Sequence, residues 1–180
     1  MVILDSNGKR IYRSVVFDVE TTGLSTRLGD RVIEIGAVAI EGKRIVDEFH
    51  SLIHTTQPID PFAYAVHGIS KDMLDGQPTA DKVIPKFNKF IKNSILVAHN
   101  ASFDVRFMQN EFTKHNLKFN SVCFCTLKLG RNLYPDLESH DLLTLYHQFY
   151  IKPPGRLHRA LEDARATAKI WIKMSPKVLV

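Results

Sequence analysis

Apolar and polar positions divide the chain into a first third rich in strands and a remainder in which strands and helices are mixed. Runs of β-branched and apolar residues predict strands over 14–20, 31–40 and 44–53. Glu41-Gly42-Lys43 is predicted to turn the chain between the last two strands. The segment 55–76 contains two prolines and two glycines, which predicts a loop with short helical pieces. The first third is therefore predicted to be a β-meander.

The remainder predicts helices that pack on the faces of a mixed sheet. Apolar residues at helical spacing predict a helix over 160–172, whose apolar stripe consists of Leu161, Ala164, Ala168 and Trp171. The other predicted elements are helices over 81–92, 102–115, 127–134 and 141–149, and short strands over 95–100 and 121–126. This mixture is typical of an α/β fold. Because no linker or internal repeat interrupts the pattern, we expect one domain over 1–180.

Composition and charge narrow the class of protein. A chain of 180 residues with 44% apolar residues can form one buried core. It has neither a run of about 18 apolar residues nor a signal-peptide pattern, so we expect a soluble, cytoplasmic protein without a membrane partner. The net charge of +5 and the pI of about 9.2 favour polyanions. Cys123 and Cys125 lack the spacing of a zinc site and are predicted to lie in or near the core.

Two carboxylates lie close together at the end of the first predicted strand. Alternate residues of a strand share a face, so Asp18 and Glu20 are predicted to point the same way. Two carboxylates on a mostly apolar strand are unfavourable without compensation, and a hard divalent cation such as Mg²⁺ provides it. The alternative is an edge strand whose polar face is in water.

Two further segments bring acids or histidines close to predicted helix starts. Asp104 is expected in the first turn of its helix, and the alternative role is a favourable interaction with that helix N-terminus. His158 precedes the last helix and Asp163 lies inside it, so both can reach one site if the loop folds over it. A histidine that titrates near neutrality suits general-base work on a water. The alternative is a surface histidine and a solvated aspartate. His99 is expected to be structural, and Glu162 is assigned to the solvent side.

Together these segments resemble the DnaQ-like 3′→5′ exonucleases of the DEDD superfamily, in the branch with a catalytic histidine (DEDDh). Members include the proofreading ε subunit of bacterial DNA polymerase III. The stretches FDVETTG (17–23), AHNASFD (98–104) and HRALED (158–163) are similar to the three family motifs and occur in the same order. AVHGIS (65–70) is similar to the segment between the first two motifs, and the resemblance spans 15–172.

The resemblance implies a ribonuclease H-like fold, with a central mixed sheet flanked by helices and a catalytic core over about 12–174. It implies two Mg²⁺ or Mn²⁺ ions, about 4 Å apart, held by Asp18, Glu20, Asp104 and Asp163. By the same resemblance, His158 deprotonates the attacking water. The expected reaction is metal-dependent 3′→5′ hydrolysis of single-stranded DNA, or of frayed 3′ ends, to nucleoside 5′-monophosphates, in proofreading or repair.

The matched motifs also imply contacts with the nucleotide. The candidates are Val19, Thr21, Thr22, Leu24, His67, Asn100 and Phe103. Leu24 is expected to wedge against the terminal base, and Phe103 either packs on base or sugar or belongs to the core. The proofreading subunit often has a glutamate where this chain has Phe62, so a contact with a sugar hydroxyl is not carried over.

Two alternatives to a DNA exonuclease stay open. A 3′→5′ exoribonuclease in RNA maturation or oligoribonucleotide degradation would use the same five residues, because the choice depends on contacts with the 2′-hydroxyl. A catalytically silent nucleic-acid-binding module would lack a carboxylate or the histidine, and none is missing. The expected partner is nucleic acid with a free single-stranded 3′ end, and a DNA polymerase subunit is the second candidate. Because the chain stops at Val180, we expect a stand-alone exonuclease or an excised domain.

Overall fold

The protein contains a mixed β-sheet with helices on both faces, as predicted. The structure is a computed structural model that describes residues 2–4, 10–119, 122–152 and 158–178. Its strands are β1 (Val2–Leu4), β2 (Arg10–Thr21), β3 (Val32–Glu41), β4 (Arg44–Leu52), β5 (Ile95–Ala98) and β6 (Cys123–Cys125). The main sheet has the order β4-β3-β2-β5-β6, and β1 pairs with the beginning of β2.

The direction of the strands follows from their connections. β2, β3 and β4 are antiparallel neighbours joined by short turns, which confirms the predicted meander. β5 and β6 are added in parallel, because a helix or long loop returns the chain before each of them. Residues 32–40 of β3 are all buried, since helices cover both faces of the sheet there. β4 lies at the edge of the described sheet and has an exposed first half.

The helices lie close to their predicted positions. They are α1 (Pro61–His67), α2 (Lys71–Leu74), α3 (Ala80–Ile91), α4 (Ser102–Lys114), α5 (Thr126–Leu133), α6 (Leu142–Gln148) and α7 (Ala160–Met174). α1 begins after Asp60, whose side chain accepts a hydrogen bond from the amide of Phe62. Among the described residues, none of the helices has the length and apolar character needed to cross a bilayer.

Two apolar cores hold the layers together. On one face of the sheet, Phe87 of α3 packs against Phe17 of β2 and against Phe112 of α4. On the other face, α7 packs Ala164, Ala168 and Trp171 against the sheet. Of the predicted stripe, these three are buried and Leu161 is half-buried. Cys123 and Cys125 are half-buried beside the first core, which confirms their predicted place.

One glycine sets the distance between α7 and the sheet. A Cβ on Gly36 of β3 would overlap the backbone of Ala160 and Leu161 at the start of α7. Gly36 is also the register partner of Asp18 on β2. The absence of a side chain at position 36 therefore allows the first turn of α7 to lie directly over the strand that carries Asp18.

Some boundaries differ from the predicted ones for local reasons. β2 begins at Arg10 rather than 14, because β1 pairs with its first residues. β5 ends at Ala98 rather than at 100, and Asn100 has a left-handed backbone with φ of 54°. β6 is observed over Cys123–Cys125, while the predicted start at 121 lies outside the described residues.

Candidate active site

The end of β2 places two carboxylates on one face of the sheet. Asp18 and Glu20 lie two residues apart on β2, as the strand period predicts. Asp163, in the first turns of α7, joins them. One oxygen from each of the three carboxyl groups lies within 4.8 Å of the others. A strand and a helix distant in sequence therefore form one acidic cluster, defined here as Asp18, Glu20 and Asp163.

Asp104 approaches the same place from α4. It lies in the first turn of that helix and is only 3% exposed. Its Oδ1 accepts a hydrogen bond of 3.1 Å from the backbone amide of Val19. This bond ties α4 to the strand between Asp18 and Glu20. Asp104 does not belong to the group within 4.8 Å, yet it lines the same cleft.

His158 lies at the mouth of this cleft, just before α7. Its backbone amide donates a hydrogen bond of 2.8 Å to Oδ2 of Asp163. The backbone of His158 has a φ of 62°, in the left-handed region that a histidine seldom adopts, and such strain is concentrated at functional sites. The imidazole is exposed on the cleft. His158 and Asp163 thus line the same cleft, as a shared site requires.

The cleft has a volume of about 370 Å³. Its lining contains eight of the predicted site residues: Asp18, Val19, Glu20, Asn100, Phe103, Asp104, His158 and Asp163. It also contains four residues that were not predicted to line it: His99, Asp141, Leu142 and Leu143. The last three belong to the start of α6, and only tertiary packing brings them here. A larger groove of about 490 Å³, lined by residues between Thr55 and Leu74, includes no carboxylate.

Phe103 shows features of both predicted roles. It is half-buried, packs on Phe107 with ring centroids 4.9 Å apart, and also lines the cleft. His99 is tied to the fold, because its Nδ1 lies 2.9 Å from the hydroxyl of Thr126. Burial lowers the pKa of His99 to about 4, so it is a neutral residue of the cleft wall.

Four predicted nucleotide contacts lie outside the cleft lining. His67 is 2% exposed, with its Nδ1 accepting from the amide of Ile69 and its Nε2 3.2 Å from the carbonyl of Thr21. Both ring nitrogens are therefore used inside the protein. Thr22 is buried and bonded to Asp30, whereas Leu24 is 76% exposed. Leu24 is thus accessible to a ligand, whereas His67 supports the backbone of Thr21.

Burial and mutual repulsion oppose ionisation of the clustered acids. Burial, followed by the charges of Asp104 and Glu20, raises the pKa of Asp18 well above its usual value. Burial, followed by the charges of Glu34 and Asp163, raises the pKa of Glu20 to about 8. Burial also raises the pKa of Asp104, to about 7, and that of Asp163. The protein alone therefore does not provide enough positive charge for these carboxylates.

Glu34, on the neighbouring strand, shows the opposite behaviour. It is 1% exposed and is the register partner of Glu20. Its carboxylate accepts hydrogen bonds from the guanidinium of Arg159 at 2.7 Å and from the amide of Ala160, and it lies 2.7 Å from Nε2 of His50. Burial would raise the pKa of Glu34, but these partners outweigh it and lower the pKa to about 2. The protein's own groups therefore stabilise the charge of Glu34, whereas the acidic cluster has no such ion pair among the described residues and suits an external cation.

One observation that does not depend on charge also indicates that the cluster suits a divalent metal ion. Oδ1 of Asp163 is buried and has no hydrogen-bond partner among the described residues. Buried carboxylate oxygens almost always have a partner. Carboxylate oxygens are also the ligands that Mg²⁺ and Mn²⁺ prefer. The donor set therefore suits the divalent ions that exonucleases of this fold use.

Comparison with known proteins agrees with this geometry. The family model described as Exonuclease matches residues 15–171. The DNA polymerase III PolC-type of Caldanaerobacter subterraneus subsp. tengcongensis is 46% identical over 164 residues, which are 91% of this chain and 12% of that protein. The DNA polymerase III subunit epsilon of Aquifex aeolicus is 37% identical over 162 residues, 89% of this chain and 79% of that protein. The chain thus spans about an eighth of the PolC-type relative.

Solved structures share the fold. Exonuclease X in complex with 5′ overhanging duplex DNA has a TM-score of 0.73 and 29% identity over 93% of each chain. The nuclease domain of 3′hExo, a DEDDh family member bound to rAMP, has a TM-score of 0.77 and 19% identity over 93% of this chain. The predicted ribonuclease H-like fold is confirmed. Family, fold and acidic cleft agree, and the chain belongs to the exonuclease family, as a 3′→5′ exonuclease of the DnaQ-like type.

Proposed function

We propose that this chain removes nucleotides one at a time from single-stranded 3′ ends of DNA by hydrolysis that needs two divalent metal ions. The observation that carries the proposal is the convergence of Asp18, Glu20 and Asp163, with Asp104 in the same cleft. The raised pKa values of these acids indicate a site built to receive positive charge. The products are nucleoside 5′-monophosphates and a strand shortened by one residue.

The five residues would divide the work between holding metal and moving a proton. Asp18, Glu20, Asp104 and Asp163 would hold Mg²⁺ or Mn²⁺. When bound, the ions supply charge that stabilises the attacking and leaving oxygens of an in-line displacement. His158 is the base that accepts the proton of the attacking water, since its imidazole is exposed at the cleft. The hydrogen bond from its amide to Asp163 keeps that base beside the acids.

The choice of DNA is supported by relatives that resemble this chain in sequence. They are DNA polymerase III proteins, and Exonuclease X is solved with duplex DNA. We infer from the epsilon relative that the chain acts with a DNA polymerase in proofreading. The net charge of +5 favours either nucleic acid. The RNA alternative rests on 3′hExo with rAMP, and that likeness, at 19% identity, supports only the fold.

The test compares 3′-labelled DNA and RNA oligonucleotides of matched sequence with Mn²⁺ and with EDTA. We expect 5′-mononucleotides from DNA, faster than from RNA, and none with EDTA. Asp163→Asn should abolish release. The matched control is Glu162→Gln, because Glu162 is the neighbouring acid, pairs with Arg165 and belongs to neither the cluster nor the cleft lining. Full activity of Asp163→Asn would overturn the assignment of the site, and faster cleavage of RNA would reverse the choice of polymer.

A further inference from the structure

α6 carries a buried tyrosine whose hydroxyl lacks a protein partner. Tyr146 is 0% exposed, and it belongs to an apolar cluster with Ala166, Ile170 and Met174 of α7. Its hydroxyl is buried and forms no hydrogen bond with the part of the chain that the structure describes. Burying a hydroxyl without a partner costs about 1–3 kcal/mol. If packing alone mattered here, phenylalanine would fill the same space without that cost.

The helical period shows what lies beside this tyrosine. Positions 163, 166, 170 and 174 lie on one face of α7, because three or four residues complete a turn. Tyr146 clusters with the last three of them. Asp163 therefore continues the same face one turn towards the helix N-terminus, at the end of the apolar cluster that meets the active-site cleft.

The charges around the Tyr146 hydroxyl agree with a position at that end of the cluster. After burial, the charges of Asp163 and Asp18 are the causes that raise the pKa of Tyr146 above its usual value. The hydroxyl thus lies within electrostatic reach of both acids and stays a neutral donor. In the same region, Oδ1 of Asp163 is a buried hydrogen-bond acceptor. It too has no partner among the described residues. An unsatisfied acceptor of the acidic cluster and an unsatisfied donor of α6 therefore lie in the same region.

We propose that Tyr146 is a positioning residue of the metal site, whose hydroxyl donates a hydrogen bond to the Asp163 carboxylate, directly or through one water, when a divalent ion is bound. This inference rests on the proposed function, since it requires the acidic cluster to bind metal. A neutral donor is suited to the position, because it orients a carboxylate without adding a charge that would compete with the ion. Partners of this kind hold metal ligands in the geometry that the ion needs.

The inference is tested with Tyr146→Phe in the full chain, which removes the hydroxyl and keeps the ring. Mn²⁺ affinity is measured by calorimetry, and the free energy of unfolding is measured with urea in EDTA. We expect the affinity for Mn²⁺ to fall about tenfold. The metal-free protein should be as stable as the wild type or more stable, because the variant no longer buries an unpaired hydroxyl.

The matched control is Tyr134→Phe. Tyr134 packs at the edge of the same apolar cluster, and its hydroxyl accepts a hydrogen bond of 3.2 Å from Lys177. The affinity of the Tyr134→Phe variant for Mn²⁺ should equal that of the wild type. Unchanged Mn²⁺ affinity in Tyr146→Phe, with or without a loss of stability, would overturn the inference while an active wild type upholds the proposed function. A wild type that neither binds Mn²⁺ nor cleaves DNA would overturn both.

Discussion

Metal binding should strengthen steeply between about pH 6 and pH 8, because the metal-free protein holds its site carboxyls protonated. Burial and then neighbouring carboxylates raise the pKa of Glu20 from 4.5 to about 8. Burial raises the pKa of Asp104 from 3.8 to about 7. Below about pH 7 both groups therefore carry protons. A divalent ion needs them as carboxylates, so its binding releases those protons.

The expected size of the effect follows from the number of protons released. Each proton released lowers the apparent Kd about tenfold for each pH unit. Near pH 6 both Glu20 and Asp104 release one, which predicts a fall of at least about 100-fold per unit. Between about pH 7 and pH 8 Glu20 still releases one, which predicts a fall of at least about tenfold per unit. Acids with ordinary pKa values are already ionised at about pH 6 and would give a flat profile.

The assay is calorimetric titration with Mn²⁺ at about pH 6, 7 and 8, each in two buffers that differ in their heat of ionisation, so that the released protons are counted. Glu20→Gln should make the profile between about pH 7 and 8 shallower by about tenfold per unit, whereas Glu162→Gln, whose side chain lies outside the cluster, should leave the slope unchanged. A Kd that is constant within about threefold over this range, without proton release, would refute the reasoning.

The same pKa shifts determine how stability changes with pH. The folded-state pKa values of Glu20 and Asp104 are raised, so the stability that these groups contribute is present at low pH. It is lost as the pH rises from the ordinary pKa values of 4.5 and 3.8 to the folded values of about 8 and 7, because in that range the unfolded chain is ionised and the folded protein is not. Mn²⁺ should therefore raise the melting temperature more at pH 8 than at pH 6, which thermal unfolding at both values checks.

Three further predictions concern residues around the cluster. Arg159→Ala removes the guanidinium that pairs with the buried carboxylate of Glu34 and should cost about 3–5 kcal/mol in urea unfolding, whereas Arg165→Ala, which breaks two exposed pairs, should cost about 1 kcal/mol or less for each pair. His158→Ala should lower turnover about 10²–10⁴-fold with Mn²⁺ affinity retained, and loss of metal binding would instead make the histidine a ligand. Gly36→Ala should lower the melting temperature, because its Cβ overlaps the backbone of α7, and an unchanged value would show that α7 can shift away from the sheet.

The local parts of the fold and site follow from sequence patterns. The period of a strand placed Asp18 and Glu20 on one face, and the structure has them so. The apolar stripe of α7 could also be predicted from the sequence, because a helix with one buried face repeats apolar residues every three or four positions. The association of Asp104 with these acids depended on motif order, since a single aspartate at a helix start has an ordinary local role.

Long-range packing hides the remainder from sequence reasoning. The start of α6 lines the cleft through Asp141 and Leu143, although nothing in its local pattern distinguishes it from other short helices. His67 lies in a matched motif, yet its ring nitrogens are used by the backbone. Glu34 did carry a signal, because a glutamate inside the apolar run 31–40 needs a partner when buried. The sequence could not name that partner, Arg159, which lies 125 residues away.

The contrast between Glu34 and the acidic cluster explains how one strand pair tolerates so many carboxylates. Glu34 has a guanidinium, an imidazole and a backbone amide around it, so the protein itself stabilises its charge. The cluster has no comparable cation among the described residues that contact it, and its raised pKa values record that deficit. The folded protein therefore leaves the acidic cluster without compensating positive charge. An ion that supplies this charge is bound more tightly for that reason. Arg159 connects the two sets, because it neutralises Glu34 while following His158 directly in the chain. The ion pair between Arg159 and Glu34 thereby also helps to position His158, the candidate base, at the site.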